Sequence, residues 1–242
     1  FQYILFFCSF LVTFISIYFL IKNANKLNLV DHPNNRKIHK ISTPQVGGLG
    51  IVISFSLIFL VSFIINFKIF DISLFESCVL VLSSLIIIMT GFIDDTKGIT
   101  AFNKFLFQVT ASIILVLGVK DLQFIDWPFS IYFDSIFYNS VLSIFYIVSI
   151  LNAINLIDGL DGLAGGVSII ITFFFIILSL LSGLIITDLY VLFMLFGSLC
   201  AFIIFNKPPA KTFLGDTGSL FIGWIFGIVS LMYAQKTSFS LS

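Results

Sequence analysis

The chain has 242 residues, 59% of them hydrophobic and 10% charged, with a formal net charge of 0; a soluble globular domain carries about one quarter charged residues. A composition this apolar excludes a water-soluble domain and requires a bilayer as solvent. No nucleic-acid partner is expected.

The first run, Phe1 to Ile21, has no basic leader and no small-residue cleavage site, and it is long enough to cross a ~30 Å hydrocarbon core as a helix. Further spans are expected at 45–66, 73–93, 103–120, 137–154, 163–182, 184–205 and 218–235, with a tight turn around Ser182 and Gly183 between the sixth and seventh. None of these runs alternates with the period of two that marks a barrel strand. The expected fold is therefore an all-α, polytopic integral membrane protein with about eight transmembrane helices, and residues 1–242 read as one transmembrane domain without an internal repeat. Cys8, Cys78 and Cys200 fall within the apolar runs without metal-ligand spacing, so buried thiols are expected. Glu76 is the one acid expected well inside a span.

Loops retained in the cytoplasm are enriched in Lys and Arg. Loops 22–44, 94–102, 155–162 and 206–217, with the helix ends beside them, hold nine basic residues, against Lys68, Lys120 and Lys236 on the other side. The first side is expected to be cytoplasmic, with both ends of this chain outside. Trp127, Tyr132 and Tyr138 suit an interfacial aromatic belt around an outer loop.

The same topology collects Asp31, Asp94, Asp95, Asp158, Asp161 and Asp216 on the cytoplasmic side, all but Asp31 within a few residues of a helix end. Ionised groups beside hydrocarbon are costly, so they are expected to face a protein cavity and to have partners. The plainer reading, that Asp158 and Asp216 cap helices, fits a single Asp better than it fits five on one face. In "NAINLIDGLDGLAGG", Asn152 to Gly166, Asp158 and Asp161 share a face if the segment is helical. Asp94 and Asp95 stand about 100° apart around a helix, so at most one points squarely at a given atom. In "FLGDTGS" Asp216 opens the last span, where free backbone N–H groups can hold an anion. Carboxylates gathered this way repel one another unless a cation compensates them. Oxygen donors without a His or Cys cluster favour Mg2+ or Mn2+ over zinc, and Mg2+ completes its shell with water and substrate phosphates. A phosphorylated substrate is therefore expected.

The loop "DHPNNRKIHKISTPQVGG" brings Arg36, Lys37, His39 and Lys40 as donors for phosphate oxygens, then Gly47 and Gly48, where backbone can come close. Alone, it reads better as a positive-inside anchor with turns at Pro33 and Pro44; its position beside the acidic clusters is what favours phosphate binding.

Four stretches in order, "VDHPNNRKIHKISTPQVGG", "GFIDD", "NAINLIDGLDGLAGG" and "NKPPAKTFLGDTGS", resemble the polyprenyl-phosphate N-acetylhexosamine-1-phosphate transferase family over nearly the whole chain. The resemblance implies transfer of a sugar 1-phosphate from a UDP-N-acetylhexosamine to a polyprenyl phosphate, with release of UMP. It implies Mg2+ dependence, a multi-pass protein of the cell inner membrane with a cytoplasmic active site, and a place early in cell-envelope polysaccharide synthesis. By motif, Asp216 resembles the family's Mg2+ ligand, and Asp94 and Asp95 resemble the catalytic pair near the lipid phosphate. Asn155, Asp158, Asp161 and Asn206 resemble positions around the nucleotide, and Lys40 a basic residue near the diphosphate. The first loop is closer to enzymes that use UDP-N-acetylglucosamine than to the phospho-N-acetylmuramoyl-pentapeptide transferases, which stand as the alternative. The family continues into further spans and a His-rich cytoplasmic loop for which His32 and His39 are no substitute, so the chain is expected to be incomplete at its C-terminus. A homodimer is compatible with all of this.

Two rivals predict different patterns. A transporter would distribute its carboxylates through the membrane depth. A CDP-alcohol phosphotransferase would carry an Arg after its D-G-x-x-A run, which "DGLDGLAGG" lacks.

Overall fold

The structure is a computed structural model that describes residues 2–31, 42–64, 73–122, 136–182 and 186–241. Arg36, Lys37, His39 and Lys40, with His32, Trp127, Tyr132, Lys68 and Gly183, lie outside the described residues. Eight α-helices follow in chain order: α1 Gln2–Asn23, α2 Gly47–Ile64, α3 Leu74–Lys97, α4 Ala101–Gly118, α5 Ile136–Ile157, α6 Leu163–Ser182, α7 Ile186–Asn206 and α8 Gly215–Leu241. Each falls within a few residues of an expected span. Among the described residues, seven helices are long and apolar enough to cross a membrane, and Gly47–Ser62 of α2 forms a shorter apolar helix. The protein is a multi-pass membrane protein.

Helix boundaries follow from local chemistry. Ser73 caps α3: its hydroxyl accepts the Glu76 N–H at 3.2 Å and the Glu76 carboxylate accepts the Ser73 N–H at 2.9 Å, a reciprocal capping box. Glu76 therefore sits in the first turn of α3 as a cap, and not deep inside a span as expected. Gly98, with φ +70°, ends α3 and donates its N–H to the Asp94 carbonyl, and the Thr100 hydroxyl then caps α4.

The chain divides into two compact units. The first holds residues 1–71 and 157–219, that is α1, α2, α6, α7 and the start of α8. A short ribbon pairs β1 (Val30–Asp31) antiparallel with β2 (Thr43–Pro44). Leu5, Ser9, Thr13 and Ile17 form the buried stripe of α1. Without a Cβ at Gly197, α7 comes against the Phe6 carbonyl and Ser9, the close approach by which small residues pack membrane helices. Phe6 and Phe14 extend the contact to Phe196 and Phe205, with ring centroids 5.6 and 4.9 Å apart.

The second unit holds residues 72–156 and 220–242. Part-buried polar side chains pair across its helices: Asn152 Nδ2 donates to Gln108 Oε1 at 2.8 Å, Trp224 Nε1 to Ser84 Oγ at 2.9 Å, and Tyr146 OH to Ser230 Oγ at 3.1 Å. A Cβ on Gly223 would stand 2.9 Å from Leu151 Cα, so glycine lets α8 lie against α5.

The cysteines depart from expectation. Cys8 and Cys78 are exposed on their helices and Cys200 is half-buried. A thiol is a small apolar group, so bilayer satisfies it as well as a protein core does.

Candidate active site: two groups of polar residues at helix ends

In the second unit the last turn of α3 presents Asp94 and Asp95. A carboxylate there lies at the negative end of the helix dipole, which disfavours it, and the surroundings of Asp94 offset that cost. Asp94 Oδ2 lies 3.0 Å from Lys104 Nζ, and Asp94 Oδ1 accepts the Ile99 N–H at 2.9 Å. The two side chains are only 16% and 14% exposed, so their attraction is screened less than that of a surface pair. Lys104 Nζ also donates to Asn155 Oδ1 at 3.2 Å. One lysine thus joins a residue expected near the lipid phosphate to one expected near the nucleotide. Lys104 is one of the nine basic residues that mark the expected cytoplasmic side, and a spacing of ten residues across a helix break signals no contact with Asp94.

In the first unit α5 ends at Ile157 and residues 158–162 form a turn, closed by Gly162 at φ +76°. Asp158 and Asp161 are therefore turn residues and do not share a helical face. Asp161 Oδ2 accepts the Ala210 N–H at 2.9 Å, across to the loop between α7 and α8. Asn206, the last residue of α7 and 4% exposed, uses both ends of its amide. Its Oδ1 accepts the Gly162 N–H at 3.0 Å and its Nδ2 donates to the Thr212 carbonyl at 2.9 Å. Asp161 and Asn206, two of the residues expected near the nucleotide, thus join the turn 158–162 to the loop 207–214.

That loop is fixed on its other side by the segment entering α2. The Pro44 carbonyl accepts the Phe213 N–H at 2.8 Å and the Thr212 hydroxyl at 2.9 Å, and Thr212 Oγ1 accepts the Val46 N–H at 3.2 Å. Gly47 and Gly48 donate their N–H groups to the Phe213 and Leu214 carbonyls at 2.9 and 2.8 Å. The expectation that these glycines let backbone approach a phosphate is corrected here. Their donors serve protein carbonyls, and the space where their Cβ atoms would lie belongs to Phe202 and Gly218. Immediately after this tied segment, Gly215 (φ +75°) opens α8 and Asp216 is its second residue, as the sequence predicts.

Asp94, Lys104 and Asn155 are thus brought together in one unit. Asp161, Asn206 and the loop leading into Asp216 are brought together in the other. Among the described residues no group of three or more His, Cys, Asp or Glu side chains gathers as a metal cage. The donors are carboxylate and amide oxygens, which suit a hard divalent ion that takes one or two protein carboxylates and fills its shell with water and phosphate oxygens.

Comparison with known proteins adds independent information. The family model described as Glycosyl transferase family 4 matches residues 77–234, well over half of the chain. The chain is 34% identical over 221 residues to a probable undecaprenyl-phosphate N-acetylglucosaminyl 1-phosphate transferase of Bacillus subtilis, covering 90% of this chain and 60% of that protein. It is 33% identical over 258 residues to a phospho-N-acetylmuramoyl-pentapeptide-transferase of Staphylococcus saprophyticus, covering 98% of this chain and 78% of that protein. The corresponding protein of Staphylococcus carnosus is 30% identical over 255 residues, with the same coverage. On the motifs, the helical membrane fold and these matches, the chain belongs to glycosyl transferase family 4.

Proposed function

We propose that this protein transfers N-acetylhexosamine 1-phosphate from a UDP-N-acetylhexosamine to a polyprenyl phosphate on the cytoplasmic side of the cell membrane, releasing UMP. The observation that carries this reading is that the acids and amides singled out by sequence stand at helix ends and in the turns between them. A phosphate whose tail stays in lipid and a soluble nucleotide sugar can meet only at that depth. The Bacillus subtilis relative is named for N-acetylglucosaminyl 1-phosphate transfer and the staphylococcal relatives for a muramoyl-pentapeptide substrate. The first-loop pattern favours N-acetylglucosamine as the sugar here.

Phosphoryl transfer requires alignment and charge neutralisation more than covalent assistance. A lipid phosphate oxygen attacks the phosphorus that bears the sugar, the bond from that phosphorus to the bridging oxygen breaks, and UMP leaves with that oxygen. Asp94, with one oxygen on Lys104 and the other on the Ile99 N–H, orients the lipid phosphate, and Asp95 beside it takes its proton. Lys104 balances the negative charge that gathers there. A Mg2+ ion held by Asp216 would neutralise the diphosphate and polarise the leaving phosphate.

The test uses membranes from cells that express the whole gene product, incubated with radiolabelled UDP-N-acetylglucosamine and undecaprenyl phosphate. Labelled lipid and stoichiometric UMP are expected; neither forming with any UDP-N-acetylhexosamine or with the muramoyl-pentapeptide donor would refute the function. Asp216→Asn should lower turnover by about 10²-fold and raise the Mg2+ requirement. Near-normal turnover with unchanged Mg2+ dependence would remove the metal role from Asp216.

A further inference from the structure

We infer that Thr212 is a positioning residue for the reaction, tying together the three segments that frame the entry to α8 and so holding Asp216 in place; this rests on the function proposed above. Thr212 is fully buried, at 0% exposure. Its hydroxyl works in both directions, donating to the Pro44 carbonyl at 2.9 Å and accepting the Val46 N–H at 3.2 Å. Its carbonyl accepts Asn206 Nδ2 at 2.9 Å, and Asn206 Oδ1 in turn holds the Gly162 N–H at 3.0 Å. One residue thus links segment 42–46, the turn 158–162 and the loop 207–214, and Asp216 follows only four residues later.

The two ties made by the hydroxyl cannot be replaced by shape alone. Valine has nearly the volume of threonine but can neither donate nor accept. It would leave the N–H of Val46, itself 0% exposed, without its acceptor, and a buried donor without a partner is costly. Segment 42–46 would then be held to the loop that leads into Asp216 only by the backbone bonds of Phe213, Gly47 and Gly48, and its register against that loop would loosen. Serine keeps both hydrogen bonds and loses only a methyl group, so the pair Thr212→Val and Thr212→Ser separates hydrogen bonding from packing.

The experiment measures UMP release from membranes carrying the whole protein, against UDP-sugar and Mg2+ concentration, for wild type, T212V and T212S. Amide hydrogen exchange over residues 43–48 and 207–218 and the thermal midpoint are followed in parallel. T212V should raise the KM for the UDP-sugar and the half-saturating Mg2+ concentration about tenfold, the net equivalent of one buried hydrogen bond. Its kcat should stay within about twofold of wild type, exchange at Val46 and Phe213 should be faster, and T212S should return every value to within about twofold of wild type. A merely structural role would lower the midpoint and the amount of active protein without separating KM from kcat. If T212V does not accumulate, Thr212→Cys, a weak donor of similar size, carries the same comparison with T212S. The positioning role is overturned if T212V, or Thr212→Cys in its place, keeps wild-type KM and Mg2+ dependence. It is overturned equally if T212S is as impaired as T212V. Wild-type membranes that release no UMP with any donor sink the proposed function and this role together, whereas active wild type with an indifferent T212V sinks this role alone.

Discussion

Replacing Gly48 with Ala asks whether the glycine pair at the start of α2 serves helix contact or ligand approach. A Cβ at Gly48 would overlap the backbone N and Cα of Gly218 and stand 2.7 Å from the Leu214 carbonyl oxygen, where ordinary contact begins at 3.4 Å. The start of α2 must therefore withdraw by at least about 0.7 Å from the loop leading into α8. That movement weakens the Gly47 and Gly48 N–H bonds to the Phe213 and Leu214 carbonyls, now 2.9 and 2.8 Å long. Overpacking costs about 1–3 kcal/mol, each weakened bond about 1 kcal/mol, and the better helix propensity of Ala returns about 1 kcal/mol. The net loss is about 2–4 kcal/mol, or roughly 4–16 °C in thermal midpoint for a chain of this size. The assay is thermal unfolding in detergent with Gly166→Ala as control, because a Cβ at Gly166 in α6 meets nothing within 4 Å and that variant gains the same propensity. A G48A midpoint within about 1 °C of the G166A midpoint would refute the packing argument. Intact stability with a raised KM for the UDP-sugar would return the glycines to ligand binding.

Asn206→Ala strands the Gly162 N–H and the Thr212 carbonyl together, and should cost about 2–4 kcal/mol of stability by thermal unfolding. An unchanged midpoint would show that neither bond matters to the fold. A double-mutant cycle of Asp94→Asn and Lys104→Met should give a coupling of about 1–2 kcal/mol, above that of exposed pairs because both side chains are mostly buried. Coupling below about 0.3 kcal/mol in unfolding measurements would mean that solvent and salt screen the pair.

The helices were legible because a bilayer imposes one requirement, about 20 apolar residues per crossing, that composition alone displays. The start of the last helix was legible at Asp216, which stands second in α8. The turn at 158–162 lies in the loop expected at 155–162, but the helical spacing of Asp158 and Asp161 left a shared face open, and the positive φ of Gly162 closes that option. Contacts between distant segments left no trace in the string. Nothing at Thr212 announces that its hydroxyl reaches Pro44 and Val46, some 166 residues earlier in the chain, and nothing at Lys104 announces Asp94. The glycines at 47 and 48 showed that backbone must come close to something, but not to what. Residue type therefore singled out the polar positions of the candidate site, while their partners were decided by packing.

Helix α8 carries a further consequence. Of an 18-residue window within Gly215–Ala234, 83% of the residues are buried, against 22% in the corresponding window of α1. The sequence of α1 has few neighbours in this chain to match, whereas that of α8 must both enter a bilayer and fit the helices packed around it. The apolar letters of α8 thus answer to insertion, while Gly223, Trp224, Gly227 and Ser230 answer to the finished assembly. Mutations that make this helix greasier would ease its delivery into the membrane and spoil its final seating.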